Sequence, residues 1–488
     1  MASEVSTALR FILNDEDVVL THLRATETLL DFLRLNKGLR GSKEGCAEGD
    51  CGACTVLVGR LRGDRLVYET INACIAFVGS LHGTHVVTVE HLSPVNGPLH
   101  PVQQAMVDYH GSQCGFCTPG IVMSLYGLWM EEPQPGTAAI ERALQGNLCR
   151  CTGYAPILCA ARAISSYSQV EADPLVAERQ AMRAQLRALN GPTVDIGEGK
   201  DRLIVPANVD DLAEIYAANP EATLVSGATD VGLWVTKFMR DIGPMIHIGH
   251  LEELHRIEEG QGALTLGAGV TYTEATGAIA RHFPQLSELW DRIGGAQVRN
   301  AGTIGANVAN GSPIGDTPPP LIVLGAHVVL RKGLERREVR LRDFFVAYGK
   351  QDRQPGEFVE KIIVPYLPVG ERLACYKITK RRDEDISALC GAFRIFVNDD
   401  GDVGMVRIAF GGMAATPKRA KAVEAALLGR PWNSATVDAA MGAFGEDYQP
   451  ISDMRASAQY RLLTAQNLLR RFYLESIGEG ERLARAVA

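Results

Sequence analysis

The sequence predicts a multidomain α+β protein, and three observations carry that expectation. The chain has 488 residues, which at roughly 100–200 residues per domain gives room for about three or four domains. Nine of its 11 cysteines lie between Cys46 and Cys159, leaving only Cys375 and Cys390 in the rest of the chain. So sharp a shift separates a metal-rich N-terminal third from a different C-terminal region. The apolar patterning also changes along the chain: paired β-like runs come first, then helical spacing, then β-like runs alternating with Gly-rich loops.

Apolar residues make up 46% and charged residues 22%, close to a globular average and enough for a large core. The formal net charge of -8 excludes the basic excess of a nucleic-acid binder and leaves no polybasic patch for anionic lipid. The opening "MASEVSTALRFILNDEDVVL" has no basic region followed by an apolar one, so no secretory signal is expected. The longest strongly apolar stretch, "LIVLGAHVVL" at 321–330, is too short to span a bilayer. The expectation is a soluble, cytoplasmic protein with no membrane partner. In that compartment clustered cysteines read as metal or redox sites before they read as disulfides.

In chain order, "LRFILNDEDVVL" and "CTVLVGRLRGDRLVYETI" read as hairpins turning at Asn14-Asp15 and Gly63-Asp64. Between them "ETLLDFLRLN", 27–36, has helical spacing and a stop at Gly38. Residues 100–168 are predicted mainly helical, in "PVQQAMVDYH", "PGIVMSLYGLWM", "AAIERALQGN" and "YAPILCAARAISSY". A helix over 175–189 then runs into "NGPTVDIGEG", which is punctuated as loop. Near the C-terminus "TPKRAKAVEAALLGRP", 416–431, predicts a helix with Thr416 as N-cap, Pro417 first and Gly429 just past the end.

The first cysteine set is "EGCAEGDCGACTV", placing Cys46, Cys51 and Cys54 in a C-x4-C-x2-C array, with Cys74 following in "INACIAF". This is the plant-type ferredoxin spacing. Four thiolates must converge on two irons, so three come from one tight loop and one from a neighbouring element. The small residues Gly45, Ala47, Gly49, Gly52 and Ala53 let backbone N–H groups approach the sulfurs. Zinc more often uses two short Cys pairs, so the array favours a [2Fe–2S] cluster.

The second set pairs Cys114 and Cys117 in "SQCGFCTPG" with Cys149 and Cys151 in "GNLCRCTGY". Each pair precedes a predicted helix start, at Pro119 and Pro156, where free N–H groups and the dipole suit a negatively charged centre. Alone, this tetrathiolate fits zinc or iron; beside an iron–sulfur loop, a second [2Fe–2S] cluster is favoured. Arg150 is read as solvated. Cys159, Cys375 and Cys390 lack partners at ligand spacing and are read as ordinary buried thiols. His82, His85, His91, His100 and His110 match no metal motif and are read as packing or surface residues.

The C-terminal two-thirds offers two Gly-rich loops, "TLVSGATDVG" at 223–232 and "GTIGANVANGSPIGD" at 302–316. Such loops can bring backbone N–H groups to a pyrophosphate, and they also serve as ordinary turns. Neither is G-x-G-x-x-G and no P-loop occurs, which disfavours a Rossmann fold and a P-loop.

Together the two cysteine arrays resemble the iron–sulfur region of the molybdenum hydroxylases, and most closely the iron–sulfur/FAD subunit of the bacterial xanthine dehydrogenases. The resemblance covers 8 to about 478. It implies a ferredoxin-like β-grasp [2Fe–2S] domain at 1–91, a four-helix [2Fe–2S] domain at 92–170 and a linker at 171–197. A two-part α+β FAD-binding domain resembling that of vanillyl-alcohol oxidase follows at 198–370, and an α+β C-terminal flavoprotein domain at 371–488. The first FAD loop matches Leu224, Val225, Ser226, Gly227, Ala228, Thr229, Asp230 and Val231. The second matches Thr303, Ile304, Gly305, Ala306, Asn307 and Asp316. Val359 matches an aliphatic contact and Lys377 a basic one. Ile293 falls where animal relatives carry an aromatic over the flavin ring, and Asp230 is a shortened acidic position. Tyr348 and Asp385 match positions near the approaching nicotinamide.

The resemblance further implies an NAD-dependent oxidoreductase subunit that takes electrons from a molybdenum centre on a large molybdopterin-binding partner. They would pass through the helical-domain cluster, the ferredoxin-domain cluster and FAD to NAD+ as hypoxanthine and xanthine are oxidised to urate. The implied assembly is an (αβ)2 heterotetramer, with no hydroxylating residue on this chain. Gln113 and Cys151 match positions facing the molybdenum pterin. The alternatives are an FAD/iron–sulfur NADH:acceptor reductase without molybdenum, a subunit of another molybdenum hydroxylase, or a non-enzymatic zinc scaffold.

Overall fold

The structure, a computed structural model, describes residues 5–94 and 96–480. The outermost residues of the first and last expected domains, 1–4 and 481–488, lie outside the described residues. Two compact units are present, Met1–Glu253 with Gly294–Thr303, and Leu254–Ile293 with Ile304–Ala488.

The first unit begins with five strands, β1 (Leu9–Leu13), β2 (Glu16–Leu20), β3 (Thr55–Arg62), β4 (Arg65–Asn72) and β5 (His85–Val87), in the order β2-β1-β5-β3-β4. Only β1 and β5 pair in parallel; the other neighbours are antiparallel. Both hairpins turn where expected, with Asn14 at φ 54 and Gly63 at φ 56. The helix expected over 27–36 is one α turn, Leu29–Asp31, running into a π turn, Phe32–Asn36. Thr28 caps it by accepting from the Asp31 N–H, and Leu29, Leu30, Phe32 and Leu33 share one buried core with Leu9, Phe11, Val56 and Val58 of the sheet.

Four helices follow, Pro101–Asp108, Thr118–Glu131, Thr137–Ala143 and Ala155–Ala163, as expected. Thr118–Glu131 is buried along most of its length because it packs on β3 on one side and on the other helices elsewhere. The segment 171–197 is packed rather than free. Its helix Arg179–Leu189 buries Leu186, and Arg183 donates to the Asp64 carbonyl at 2.7 Å. The loop expected at 190–199 is corrected: Val194–Ile196 forms β6, pairing antiparallel with β7 (Leu203–Val205). Val194 and Ile196 are buried, and Ser6 fastens the N-terminal segment beside β6, its N–H donating to Thr193 O at 2.8 Å and its carbonyl accepting from Asp195 N–H at 2.9 Å. With β8 (Thr223–Val225) and β9 (Met245–His247) these strands form the sheet β6-β7-β9-β8, parallel from β7 onward.

The second unit holds an antiparallel sheet of β10 (Ile257–Glu259), β11 (Ala263–Gly267), β12 (His327–Lys332), β13 (Glu335–Arg340) and β16 (Phe358–Pro365), ordered β10-β11-β16-β12-β13. A small ribbon, β14 (Phe345–Ala347) with β15 (Lys350–Gln351), lies outside it. Next comes the meander β17 (Arg372–Ile378), β18 (Leu389–Val397), β19 (Val403–Gly411) and β20 (Lys418–Arg419). The long helix Ala458–Ser476 closes the meander over Phe393, Phe410 and Phe472. The helix start expected at Thr416 and Pro417 is corrected to Lys421. Lys418 and Arg419 pair with Phe410 and Ala409 at the sheet edge, and Ala420 N–H continues to Ile408 O at 2.8 Å. The ladder therefore claims these residues before the helix can. The orphan N–H groups of Ala422 and Val423 are taken by the Asp447 carboxylate, and Gly429 does lie past the helix end at φ +70. Among the described residues no helix is long and apolar enough to cross a membrane.

Within the first unit a β-carbon built on Gly120, in the helix Thr118–Glu131, would stand 2.0 Å from Gly52 O. Helix propensity alone favours Gly120→Ala by about 1 kcal/mol. The expected result is the opposite sign, a destabilisation of about 1–3 kcal/mol from overpacking against rigid backbone. Thermal unfolding checks it, and a stabilised variant would show that the two backbones are free to separate.

Candidate functional site

The first cysteine set lies in a loop that only small residues can form. Ala47, Gly49 and Gly52 stand at φ 53, 79 and 68, and a β-carbon on Gly45 would come within 2.8 Å of Cys51 Sγ. The coil turns backbone donors inward: the N–H groups of Asp50 and Cys51 both reach Cys46 Sγ at 3.3 Å. The thiols also contact one another. Hydrogen bonds from Cys51 and then Cys74 hold Cys46 far below the usual thiol range, and Cys74 likewise lowers Cys54. The reciprocal effect, from Cys46 first in each case, pushes Cys51 and Cys74 up. Cys54 and Cys74 are buried. Four crowded thiols have no stable all-ionised state without a cation among them, and inward N–H groups stabilise a negative cluster, so these residues fit an iron–sulfur group.

The second set is split into an outer and an inner pair. Cys114 and Cys151 are exposed, with their sulfurs 3.6 Å apart. That is close to the ~3.7 Å edge of a tetrahedron with metal–sulfur bonds of about 2.3 Å. Cys149 is buried and Cys117 half-buried. Cys117 is pushed up to about 12, first by burial and then by its bond with Cys149. Burial opposes ionisation of Cys149 too, but bonds from Thr152 and the Cys151 backbone outweigh it and the thiol is lowered. Cys117 is the N-cap of its helix, and Pro119 and Pro156 fall in first turns, as expected. Arg150 is exposed.

A buried polar node joins the two sets. The Asn147 amide donates to Gly52 O at 3.2 Å and Thr55 Oγ1 at 3.3 Å, and its oxygen accepts from Ser124 Oγ at 2.7 Å. Gln297 Nε2 closes the node, reaching Asn147 Oδ1 at 3.0 Å, Thr55 Oγ1 at 3.1 Å and Ser124 Oγ at 3.3 Å. Nearby, Leu148 N–H donates to Cys51 O at 3.0 Å. Arg299 and Asn300 anchor the same 294–303 segment on Gln145 and on Thr70. None of these residues was singled out from the sequence; an isolated Gln or Asn carries no pattern that announces such a role.

The FAD-loop residues divide between the units. In the first, Leu224 and Val225 end β8, Ser226, Gly227, Ala228, Thr229 and Asp230 form the loop, and Val231 opens a short helix, Val231–Thr236. Ala228 stands at φ 57, and a β-carbon on Gly227 would lie 1.6 Å from Ala301 O. The short helix rests on the first cysteine set. Gly232 packs on the Ile75 backbone, where a β-carbon would meet Ile75 O at 2.7 Å, and Thr236 Oγ1 donates to Ala47 O at 2.7 Å. Thr303 is buried. In the second unit, Ile304 N–H donates to Val270 O at 3.0 Å and Gly305 N–H to Ala268 O at 3.2 Å. Ala306 is exposed and Asn307 half-buried. Lys377 and Asp316 form a buried ion pair at 2.6 Å, with Ser387 on the other carboxylate oxygen. Val359 immediately precedes a bulge and is buried, and Ile293 is buried in the core of that unit. Tyr348 is exposed, and Asp385 accepts from Arg381. Ser226 Oγ and Asn307 Oδ1 are buried with no hydrogen-bond partner among the described residues, as expected of groups reserved for a bound polar ligand.

Two cysteine readings are corrected: Cys159 is exposed and Cys375 half-buried, whereas Cys390 is buried as expected. The Cys375 and Cys390 sulfurs stand 3.8 Å apart on β17 and β18. Pairing between adjacent strands brings together residues that are fifteen apart in sequence.

Comparison with known proteins follows the same division. Residues 12–79 match a 2Fe-2S iron–sulfur cluster binding domain and 88–162 a [2Fe-2S] binding domain. Residues 199–367 match the FAD binding domain in molybdopterin dehydrogenase, and 374–476 the CO dehydrogenase flavoprotein C-terminal domain. Xanthine dehydrogenase of Emericella nidulans is 31% identical over 99% of this chain, and xanthine dehydrogenase/oxidase of Rattus norvegicus 31% over 98%. The chain spans 39% of the length of each. Among solved structures, carbon monoxide dehydrogenase from Hydrogenophaga pseudoflava superposes with a TM-score of 0.52 at 28% identity, covering 55% of this chain and 93% of that one. Reconstituted CO dehydrogenase from Oligotropha carboxidovorans gives 0.51 at 26% identity, covering 55% and 94%.

Gln297 provides a test of the node. Gln297→Met leaves the Asn147 and Ser124 oxygens without its amide and is expected to lose about 1–3 kcal/mol of stability. Gln297→Glu is expected to lose more, since a carboxylate would face Asn147 Oδ1 while Gly52 O keeps that amide from turning. Denaturant unfolding measures both; equal losses would reduce Gln297 to packing alone.

Proposed function

We propose that this chain, which belongs to the molybdenum hydroxylase family and carries its iron–sulfur and FAD-binding domains, is the electron-transfer subunit of a cytoplasmic xanthine dehydrogenase. In this reading a large molybdopterin-binding partner oxidises hypoxanthine and xanthine to urate, and the two together form an (αβ)2 heterotetramer. When bound, two [2Fe–2S] clusters supply one-electron transfer and FAD couples it to hydride transfer to NAD+.

The observation that carries the reading is a serial arrangement inside the first unit. Cys114, Cys117, Cys149 and Cys151 would hold one cluster and Cys46, Cys51, Cys54 and Cys74 the other. The two sets are neighbours through the Leu148–Cys51 bond. The helix that follows the 224–231 loop rests on residues adjoining Cys46 and Cys74. The outer pair, Cys114 and Cys151, is exposed beside Gln113, Phe116 and Leu148, a surface suited to receive the partner. Within the first unit, Ser226 would bind a polar atom of FAD.

A second reading, an electron-transfer subunit of another molybdenum hydroxylase, is favoured by the match at 374–476 and by the carbon monoxide dehydrogenase structures. An NADH:acceptor reductase without molybdenum is the third. The identity of the co-purifying large subunit, and the substrate that reduces the complex, separate the three.

The purified chain is expected to hold about four irons and one FAD, with two distinct reduced iron–sulfur EPR signals. Cys149→Ser is expected to lower iron to about two per chain and to remove one signal while FAD absorbance stays. Zinc in place of iron, or a single signal in the unsubstituted chain, would overturn the proposal.

A further inference from the structure

Away from the cysteine sets and the FAD loops, the second unit contains a cavity of about 280 Å³. Its walls come from the end of the helix Pro318–Leu324, the start of β12, the end of β13, and β19 with β20. Four arginines line it, Arg340, Arg342, Arg407 and Arg419, with His327 and Ile322. Some of this charge is already matched. Arg419 makes a two-point pair with Glu424 at 2.9 and 2.6 Å. Arg342 stands 3.5 Å from the exposed Asp343, and His327 stands 3.8 Å from Glu338.

Arg340 and Arg407 have no carboxylate partner among the described residues. Among the described residues, Arg407 reaches a protein acceptor only at Val323 O, 3.4 Å away. It is half-buried and held below the ordinary arginine range by burial, then by the charges of Arg394, Arg419 and Arg342. Repulsion among guanidinium groups gathered in a concavity is costly unless an anion enters. Gly325 makes the arrangement possible. It ends the helix at φ +83, and a β-carbon there would lie 2.7 Å from Arg407 Nη1.

We propose that this cavity is a binding site for a small polyanion of phosphate-chain chemistry, a diphosphate or triphosphate group either free or carried on a nucleotide. Guanidinium forks suit such a ligand because their planar donors bind phosphate oxygens two at a time. The volume falls just below the ~300–1,000 Å³ range of ligand sites, which favours a phosphate chain over a bulky organic anion. Two unmatched arginines, with Arg342 only loosely paired, call for more than one anionic centre.

The test is calorimetric titration of the FAD- and iron-loaded protein, in phosphate-free buffer near physiological salt, with inorganic pyrophosphate, ADP and orthophosphate. Pyrophosphate is expected to bind saturably at one site per chain, with orthophosphate at least about tenfold weaker. Arg340→Ser with Arg342→Ser, both at exposed positions, is expected to weaken pyrophosphate at least about tenfold, as is Arg407→Met, with flavin absorbance unchanged in the first variant. ADP binding as tightly as pyrophosphate would assign the nucleotide-borne chain, and binding of pyrophosphate alone the free one. No saturable binding, or the same affinity in the variants, would overturn the site.

Discussion

The first unit depends on one buried arrangement, the node of Gln297, Asn147, Ser124 and Thr55. Its four side chains come from three stretches of sequence that are far apart: the strand after the first cysteine loop, the helical module, and the 294–303 segment. Each carries hydrogen-bonding groups that would be stranded if another withdrew, and a buried unpaired polar group costs roughly 1–3 kcal/mol. The node therefore acts as a condition for assembly more than as a source of net stability. It also fixes distance. Gly52 and Gly120 bring two backbones so close that no β-carbon fits between them, and that contact sets how near one cysteine set lies to the other.

The flavin-side strands meet the same constraint from the opposite direction. The 294–303 segment falls within the stretch matched as a FAD binding domain, yet its side chains bond to Thr55, Asn147 and Gln145 of the iron–sulfur modules. Gly227 in turn abuts Ala301 of that segment. One short stretch of chain thus touches the polar node and the first FAD loop at once. A shift in either module is transmitted to the other through this segment, by the side-chain bonds of Gln297 and Arg299 on one side and by the close backbone approach at Gly227 on the other.

What could be read from the sequence follows from how local each signal is. The cysteine arrays were legible because iron–sulfur chemistry demands four sulfurs at fixed spacing, and three of the first four sit within nine residues, Cys46 to Cys54. The two hairpins and four helices were legible from periodicity and turn residues. Strand β6 was missed because three residues give no alternation to count, and its pairing with β7 and Ser6 decides its state. The helix at 416–431 was started too early because Thr416 and Pro417 make a sound local cap, while the open edge of β19 is a tertiary fact. The neighbouring sulfurs of Cys375 and Cys390, and the arginines gathered from four elements around one cavity, were invisible for the same reason.

The Cys-x-Cys step at Cys149 and Cys151 shows how a local oddity becomes a structural requirement. In a helix residues two apart face opposite sides, whereas here a turn places them at different depths, Cys149 buried and Cys151 exposed. Cys149 N–H is held by Tyr154 Oη at 2.9 Å, and Gly153 and Tyr154 both take positive φ, 68 and 69, to close the turn. Cys149 is thereby buried toward Cys117, and Cys151 is left at the surface beside Cys114. One more residue between them would relax the turn and one fewer would leave no reversal. The spacing is what lets a single bend supply both an inner and an outer sulfur. A cluster seated there would have one edge in the protein core and one edge at the surface, the geometry that transfer between subunits needs.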